Sequence, residues 1–208
     1  MSRLGRMTSR RPYHHGDLRR TLLDTTAEMV AAVGPSSWSL REVARRAGVS
    51  HAAPAHHFGD RSGLLLALAT EGFELLCDEL ETTDAATEGR PAADRHIQQG
   101  LAYVRFATAN RGHFAVMFRT DLFERDAAWI AVASRAFELL RASAARLCEA
   151  TGRNDLDDLI AASWGLVHGL ADLANSGNLG PLGKRGPIGV AEAALHAVID
   201  GPARSAAS

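Results

Sequence analysis

The stretch that decides the fold is residues 39–58, which read SLREVARRAGVSHAAPAHHF. Ser39 and Glu42 have the spacing of a capping box, in which two side chains satisfy backbone N–H groups at the start of a helix. Gly48 stands where the left-handed turn that ends a short helix favours glycine. We expect Ser50 to cap a second short helix, whose first turn tolerates Pro54 in a 3₁₀ conformation. Two short helices joined in this way are typical of a helix-turn-helix.

Outward from this stretch, apolar residues recur at helical spacing in nearly every segment, and none shows the sustained alternation of a strand. Asp17 is expected to cap a first helix that residues 34–37 end, and Asp60 to cap a long fourth helix through about Leu80. A loop is expected over residues 176–186. The sequence predicts an all-α fold of about nine helices, whose first three form a helix-turn-helix domain at residues 1–62. The last five helices are expected at about residues 91–110, 111–118, 126–149, 155–175 and 187–199.

Charge is divided unevenly along the chain, although the net charge is only −1. Residues 1–62 contain ten arginines and five acidic residues, whereas the rest of the chain contains 13 basic and 19 acidic residues. Residues 1–12 are basic and polar, and we expect them to form a flexible arm. A basic N-terminal third on an acidic body is typical of a protein that meets a polyanion such as DNA at one end.

Several classes of function find no support in the sequence. It contains no G-x-S-x-G, P-loop or dinucleotide motif, and the carboxylates within residues 155–158 open a helix, where they suit its dipole. We therefore predict no enzyme activity and no cofactor. His51, His56 and His57 do not share one helix face, so no metal site is expected. No apolar run approaches the roughly 18 residues that span a bilayer, and no secretion signal is recognisable, so a cytoplasmic location is expected.

Residues 13–76 resemble the N-terminal domain of the TetR family of bacterial transcriptional regulators, and segments 13–16 and 50–54 resemble one branch of it. A second segment, Trp164 to Gly169, resembles the W-x-x-x-H-G signature of one group of relatives. The chain departs from the usual pattern at Ala55, where a phosphate-contacting Tyr is usual, and at Arg61, where Lys is usual. The residues that carry the main resemblance are Leu40, Val43, Ala44, Ala47, Gly48, Val49, Ser50, His57, Phe58 and Leu64.

The resemblance implies a sequence-specific DNA-binding regulator, most simply a repressor that a small apolar effector releases from a palindromic operator. It also implies that residues 63–208 form a helical domain for ligand binding and dimerisation. Two alternatives stay open: an activator without small-molecule control, and a helical module that binds other proteins.

The expected DNA contacts follow from placing the second helix of the motif in the major groove. The N-terminal arm should touch the DNA backbone, the helix N-termini should meet phosphates, and small side chains should face base edges. For His57, packing and a phosphate contact are both open. The expected DNA-binding residues are Tyr13, His14, Ser39, Arg41, Ser50, His51, Ala52, Ala53, His56, His57 and Arg61.

Aromatic and apolar residues of the fifth to eighth helices are either core residues or the lining of a ligand cavity. The residues expected to line it are Phe106, Met117, Phe118, Trp129, Phe137, Trp164 and His168. Small residues on the eighth and ninth helices would let two copies pack closely, so we expect a homodimer through a four-helix bundle. These residues are Ala161, Ala162, Gly165, Gly169, Ala193, Ala194 and Ala197.

Overall fold

The computed structural model describes residues 15–200, with side chains from Leu18 onward. Within that range all regular secondary structure is helical, which confirms the predicted all-α fold and its nine α-helices. A 3₁₀ helix, Gly180–Arg185, lies in the segment expected to be a loop. The α-helices are α1 (His15–Val33), α2 (Leu40–Arg46), α3 (Ala53–Phe58), α4 (Arg61–Ala86), α5 (Ala92–Ala109), α6 (Arg111–Met117), α7 (Ala127–Thr151), α8 (Leu156–Asn175) and α9 (Gly186–Ile199).

Short polar side chains set several helix starts. The Asp60 carboxylate accepts a hydrogen bond from the Gly63 N–H at 2.9 Å, and the Asp126 carboxylate accepts one from the Trp129 N–H at 2.8 Å. Each bond satisfies a backbone donor that has no partner within its own helix. The expected cap at Asp60 is therefore confirmed.

Two expected helix boundaries are wrong. Asp17 lies inside α1, which already includes His15, so Asp17 is not the residue that caps it. The fourth helix runs six residues beyond Leu80, to Ala86. No proline or glycine interrupts the chain between Leu80 and Gly89, so nothing in the backbone stops the helix earlier.

The two ends of the described chain share one core. A single cluster of buried side chains extends from Leu22 in α1 to Ile199 in α9, and α4 contributes Leu64, Leu65 and Leu68 to it. α4 packs against α5, α6 and α7, while α5 packs against α8 and α9. Because α4 belongs to both parts of the molecule, the division at residue 62 remains a prediction.

The helix-turn-helix part and the helical body meet most closely where α1 crosses α6. Gly112 lies so near the backbone of Ala27 that an added Cβ would stand 2.0 Å from the Ala27 carbonyl oxygen. Beside this contact, Glu71 of α4 is 3.2 Å from the His113 Nε2 and also pairs with Arg20 of α1. The hydrogen bond from His113 and the charge of Arg20 lower the pKa of Glu71. Three helices are thus held together at this junction.

Candidate DNA-binding surface and ligand cavity

The first helix of the motif is capped as expected, but only by half of the capping box. The Ser39 hydroxyl accepts a hydrogen bond from the Glu42 N–H at 3.3 Å. The Glu42 carboxylate does not return to Ser39; it accepts bonds from Arg45 at 2.7 Å and Arg46 at 2.9 Å. These bonds lower the pKa of Glu42 to about 2. Two arginines of the basic region are therefore engaged within their own helix.

The turn between α2 and α3 has the geometry that a helix-turn-helix requires. Gly48 has φ +69°, in the left-handed region that side chains other than glycine rarely adopt. The Val49 N–H donates to the Ala44 carbonyl at 3.0 Å, and Val43 and Ala44 are fully buried. The turn therefore holds α3 against α2 through packed side chains and a backbone bond.

The third helix begins later than expected. Its N-cap is Ala52, without a side-chain hydrogen bond, and its first residue is Ala53. Ser50 is therefore not the helix cap; its carbonyl instead accepts the Ala53 N–H at 3.0 Å, closing a tighter turn. Pro54 lies in the first turn of α3, where its missing N–H leaves no bond unmade, and its side chain is buried.

Six of the eleven expected DNA-binding residues are exposed. Tyr13 and His14 are outside the described residues. Ala53, His57 and Arg61 are half-buried. The exposed members of the expected set are Ser39, Arg41, Ser50, His51, Ala52 and His56.

Arg61 is occupied within the fold. Its guanidinium lies 4.7 Å from the centroid of the Trp38 ring, and its Nη2 donates to the Pro35 carbonyl at 2.5 Å. Both partners belong to the segment that joins α1 to α2. The side chain therefore ties the start of α4 to that segment, which a shorter-reaching ammonium group could not do with the same stacking geometry.

Three further residues of α3 differ in how they are placed. Ala55, which replaces the usual Tyr, is exposed and presents only a methyl group. His57 and Phe58 are half-buried, and Arg19 of α1 lies 5.3 Å from the Phe58 ring centroid. The end of α3 is therefore anchored to α1, whereas the Ala55 side chain faces solvent.

A cavity of about 220 Å³ lies within the helical body, between α4, α5, α7 and α8. Five Phe and Trp rings contribute to its wall, those of Phe73, Phe118, Trp129, Phe137 and Trp164. Phe73 stands edge-on to Phe118 and to Trp129, with ring centroids 5.3 and 5.5 Å apart. This geometry is favourable for aromatic pairs and gives the cavity a defined shape.

The expected ligand-binding residues divide into two groups. Phe118, Trp129, Phe137 and Trp164 line the cavity. Phe106, Met117 and His168 are not among its lining residues. Phe106 and Met117 are buried in the core, and Met117 packs against Gly72 of α4.

His168 lies just behind the cavity wall. Its Nδ1 is 2.8 Å from the hydroxyl of Tyr103, which does line the cavity, and its ring packs edge-on to Phe118. Burial lowers the pKa of His168 and raises that of Tyr103. The pair therefore forms an uncharged hydrogen bond that positions Tyr103.

The polar residues of the cavity were not among the residues predicted from the sequence. His96, Gln99 and Tyr103 follow one another at helical spacing along α5, and Ser163 of α8 also lines the cavity. Their spacing is the signal that could have revealed them, because they interrupt the apolar face of an otherwise amphipathic helix.

His96 is held between two helices. Its Nδ1 is 3.0 Å from the Ser143 Oγ, and its Nε2 is 2.9 Å from the Ser163 Oγ. Burial lowers the pKa of His96 to about 4, assisted by the charges of Arg146 and Arg153. The imidazole is therefore neutral at neutral pH and links α5 to α7 and α8.

The cavity reaches the surface between α7 and α8. Phe137 and Trp164 line it and yet keep 43% and 40% of their surface exposed, with ring centroids 6.4 Å apart. A shallow groove that contains Ile130 and Glu138 adjoins this place and shares Trp129 and Phe137 with the cavity. Two exposed aromatic rings therefore flank the opening.

Two other kinds of site are absent from the part of the chain that the structure describes. Among residues 15–200, no three His, Cys, Asp or Glu side chains are grouped so that they could hold a metal ion. In the same range, no helix is both long and apolar enough to cross a bilayer.

Two family models match the sequence. Residues 22–68 match the model of the bacterial regulatory proteins of the tetR family, and residues 96–198 match that of the tetracyclin repressor-like C-terminal domain. The first match contains the helix-turn-helix, and the second contains most of the cavity.

Individual relatives agree with these matches. The transcriptional regulator BetI of Escherichia coli O127:H6 is 37% identical over 81 residues, which are 38% of this chain and 40% of BetI. The chain thus spans less than half the length of this curated relative.

Solved structures match over nearly the whole chain. A protein of unknown function from Rhodococcus sp. RHA1 is 33% identical with a TM-score of 0.77, covering 94% of this chain and 100% of its own. The TetR family regulator PfmR from Thermus thermophilus shares the fold at 22% identity and a TM-score of 0.68, covering 88% and 99% of the two chains. The chain belongs to the TetR family of transcriptional regulators.

Proposed function

We propose that this protein is a cytoplasmic, sequence-specific DNA-binding repressor that acts as a homodimer and is released from DNA by a small effector. The proposal that the protein binds DNA rests on the exposed surface formed by the motif's second helix and the turn before it. His51 and Ala52, just before α3, and Ala55 and His56 within it are exposed, whereas Val43 and Ala44 of α2 are buried. A recognition helix presents its N-terminal residues to base edges in the same way.

DNA contacts would come from short side chains. Ala52 and Ala53 offer methyl groups that suit the methyl of thymine, and His51 and His56 offer ring nitrogens to base edges. Ser39 and Arg41 at the start of α2 would contact phosphates, together with the arm that carries Tyr13 and His14. Ala55 supplies no phosphate contact, and Arg61 is engaged by Trp38 and Pro35. Recognition would therefore depend more on the shape of the DNA than on direct hydrogen bonds from side chains to base edges.

The proposed dimer would use α8 and α9. Ala161, Ala162 and Gly165 of α8 are exposed, as are Ala193 and Ala197 of α9. A Cβ added at Gly165 or Gly169 would meet nothing within 4 Å, so this face is open in the single chain. Small residues on two adjacent helices let a second copy approach closely and form a four-helix bundle.

Effector binding would act through α4. This helix begins at Arg61 beside the recognition helix, and its Phe73, Leu76 and Leu80 lie in the cavity wall. A ligand that shifts α4 would change the spacing between the two recognition helices of a dimer. A coupling free energy of about 1–3 kcal/mol would be enough to change DNA affinity by about 5–150-fold.

The proposal can be tested by selecting bound duplexes from random DNA with the full chain. We expect the enriched sequences to share a near-palindrome with two half-sites about one helical turn apart. A reporter placed behind that palindrome should be expressed less when the protein is present, which distinguishes a repressor from an activator. Selection without enrichment of any sequence would favour a protein-binding module and contradict the proposal.

A further inference from the structure

The wall of the cavity contains no charged side chain. Its polar members are His96, Gln99, Tyr103 and Ser163, and its other lining residues are apolar, aromatic or glycine. His96 is neutral at neutral pH because burial lowers its pKa to about 4. An ion that left water for this cavity would lose its hydration and find no opposite charge. The wall therefore favours an uncharged molecule.

In three of the four polar residues, every side-chain nitrogen or oxygen has a partner in the protein. His96 and Ser163 contact each other, with the second ring nitrogen of His96 on Ser143. Tyr103 is paired with His168 behind the wall. These groups shape the cavity, and their hydrogen bonds are largely used within the fold.

Gln99 is different. Its Nε2 donates to the Leu80 carbonyl at 2.8 Å, whereas its Oε1 is buried and has no hydrogen-bond partner among the described residues. The Leu80 carbonyl fixes the orientation of the amide, since only the nitrogen end can donate to it. Gln99 is 6% exposed, so its amide is enclosed by the protein. A buried acceptor without a partner is unfavourable, and a ligand that supplies a donor removes this cost.

Gln99 also occupies the right place for recognition. It lies on α5 between His96 and Tyr103, and all three line a cavity to which five Phe and Trp rings also contribute. A molecule with a flat apolar body and one polar end would place its body against the aromatic rings and its polar end toward α5. Polar groups that are few and fixed in position are what give such cavities their selectivity.

We propose that the cavity binds an uncharged, largely apolar molecule that donates a hydrogen bond, from a hydroxyl or an amide N–H, to the Oε1 of Gln99. This inference rests on the proposed function, because it takes the cavity as the effector site, and it adds the chemical class that the site selects.

The test uses three probes with one ring system: 2-naphthol, 2-methoxynaphthalene and 2-naphthoate. Binding to the full chain without DNA is measured by calorimetry. We expect 2-naphthol to bind about tenfold more tightly than the methyl ether, because the ether cannot donate to Gln99. The carboxylate is expected to bind more weakly than both, because the wall has no cationic side chain to offset its lost hydration.

Two variants assign the preference to one side chain. Gln99→Met keeps the length and apolar contacts of the side chain but removes its acceptor, so the advantage of the naphthol over its ether should disappear. Gln98→Met is the matched control, since Gln98 precedes it on α5 but does not line the cavity; it should keep the full preference. Circular dichroism establishes that both variants are folded.

Three results would overturn the inference. They are tighter binding of the carboxylate or the ether, an unchanged preference in Gln99→Met, and failure of all three probes to bind. Repeating the DNA titration with bound naphthol separates this inference from the proposed function. If the preference for 2-naphthol over its ether depends on Gln99 but bound naphthol does not change DNA affinity, the ligand class stands and only effector control is contradicted. Release of DNA by the carboxylate would contradict the inferred ligand class alone.

Discussion

Ala53 is the residue at which the proposed DNA contact can be tested most directly. It is the first residue of α3, half-buried, and next to the exposed Ala52. We predict that Ala53→Glu weakens specific DNA binding by about tenfold to a hundredfold per half-site, because a carboxylate faces base edges and phosphates. The measurement is a fluorescence anisotropy titration, with thermal unfolding measured in parallel.

A control for this variant is Ala150→Glu, which adds the same charge at an exposed position near the end of α7. It should leave DNA affinity within experimental error of the wild type. Equal affinity in Ala53→Glu and Ala150→Glu would show that α3 does not face the DNA bases in the proposed way.

The lowered pKa of buried His96 makes the free energy of unfolding depend on pH. Its pKa is about 4 in the folded chain, compared with the ordinary histidine value of 6.5 that applies to the unfolded chain. Between these values the unfolded chain binds the extra proton, so the free energy of unfolding falls as pH falls. From pH 6.5 to about pH 5, this one residue should remove about 1.5 kcal/mol.

Urea unfolding at several pH values measures this effect. His96→Gln cannot take up the proton, so its stability should decline less steeply than that of the wild type between pH 6.5 and about pH 5. The window lies above the pH at which most carboxylates titrate. Parallel curves for the two proteins would mean that His96 is not held neutral by burial.

Among the helices, the crossing of α1 and α6 depends on a single glycine. In Gly112→Ala the new Cβ would lie 2.0 Å from the Ala27 carbonyl oxygen, so the two helices must separate. We predict a loss of about 1–3 kcal/mol in the free energy of unfolding, as in other overpacked contacts. Urea unfolding measures the loss.

Gly189→Ala is the matched control for this variant. Its Cβ would meet only the Arg185 side chain at 3.4 Å, an ordinary contact in the first turns of α9. It should be neutral or gain up to about 1 kcal/mol from the better helix propensity of alanine. Equal stability of the two alanine variants would contradict the close approach of α1 to α6.

Helix boundaries were predictable from sequence where a local signal decides them. Ser39 and Asp60 cap their helices because the bonds they make lie three residues away. The start of α3 was not predictable from Ser50, since buried Pro54 and a tighter turn compete with that cap. A side-chain cap can therefore be read from the sequence, whereas a helix start without one, such as that of α3, cannot.

The cavity could be predicted only in part, because it is formed by residues that lie far apart in the sequence. Its aromatic residues stand out in the sequence by type, but aromatic residues such as Phe106 are equally suited to the core. The partners of His96 lie 47 and 67 residues away along the chain, at Ser143 and Ser163. Only the packing of α5 against α7 and α8 brings these groups together, so the spacing along α5 can indicate a polar face but not the partners of His96.

For the molecule as a whole, the proposed dimer predicts that assembly and DNA binding fail together. Gly165→Arg places a long charged side chain on the open face of α8, where a second copy would pack. We expect this variant to sediment as a monomer and to lose palindromic DNA binding. Sedimentation velocity at micromolar protein concentration measures the change.

Ala142→Arg serves as the control, because Ala142 is exposed on α7 and outside the proposed interface. It should remain a dimer with full DNA affinity. A dimeric Gly165→Arg variant with unchanged DNA binding would place the interface elsewhere.

The whole account depends on one property of the protein, which is that the chain recognises a specific DNA sequence through its helix-turn-helix. The most direct measurement compares the affinity of the protein for its selected palindrome with that for a scrambled duplex of the same composition, over a range of salt concentrations. We predict a preference of about 10³-fold or more for the palindrome, two protomers per duplex, and a steep loss of affinity with added salt as counterions are released. Equal affinity for the palindrome and the scrambled duplex at every salt concentration would contradict the claim.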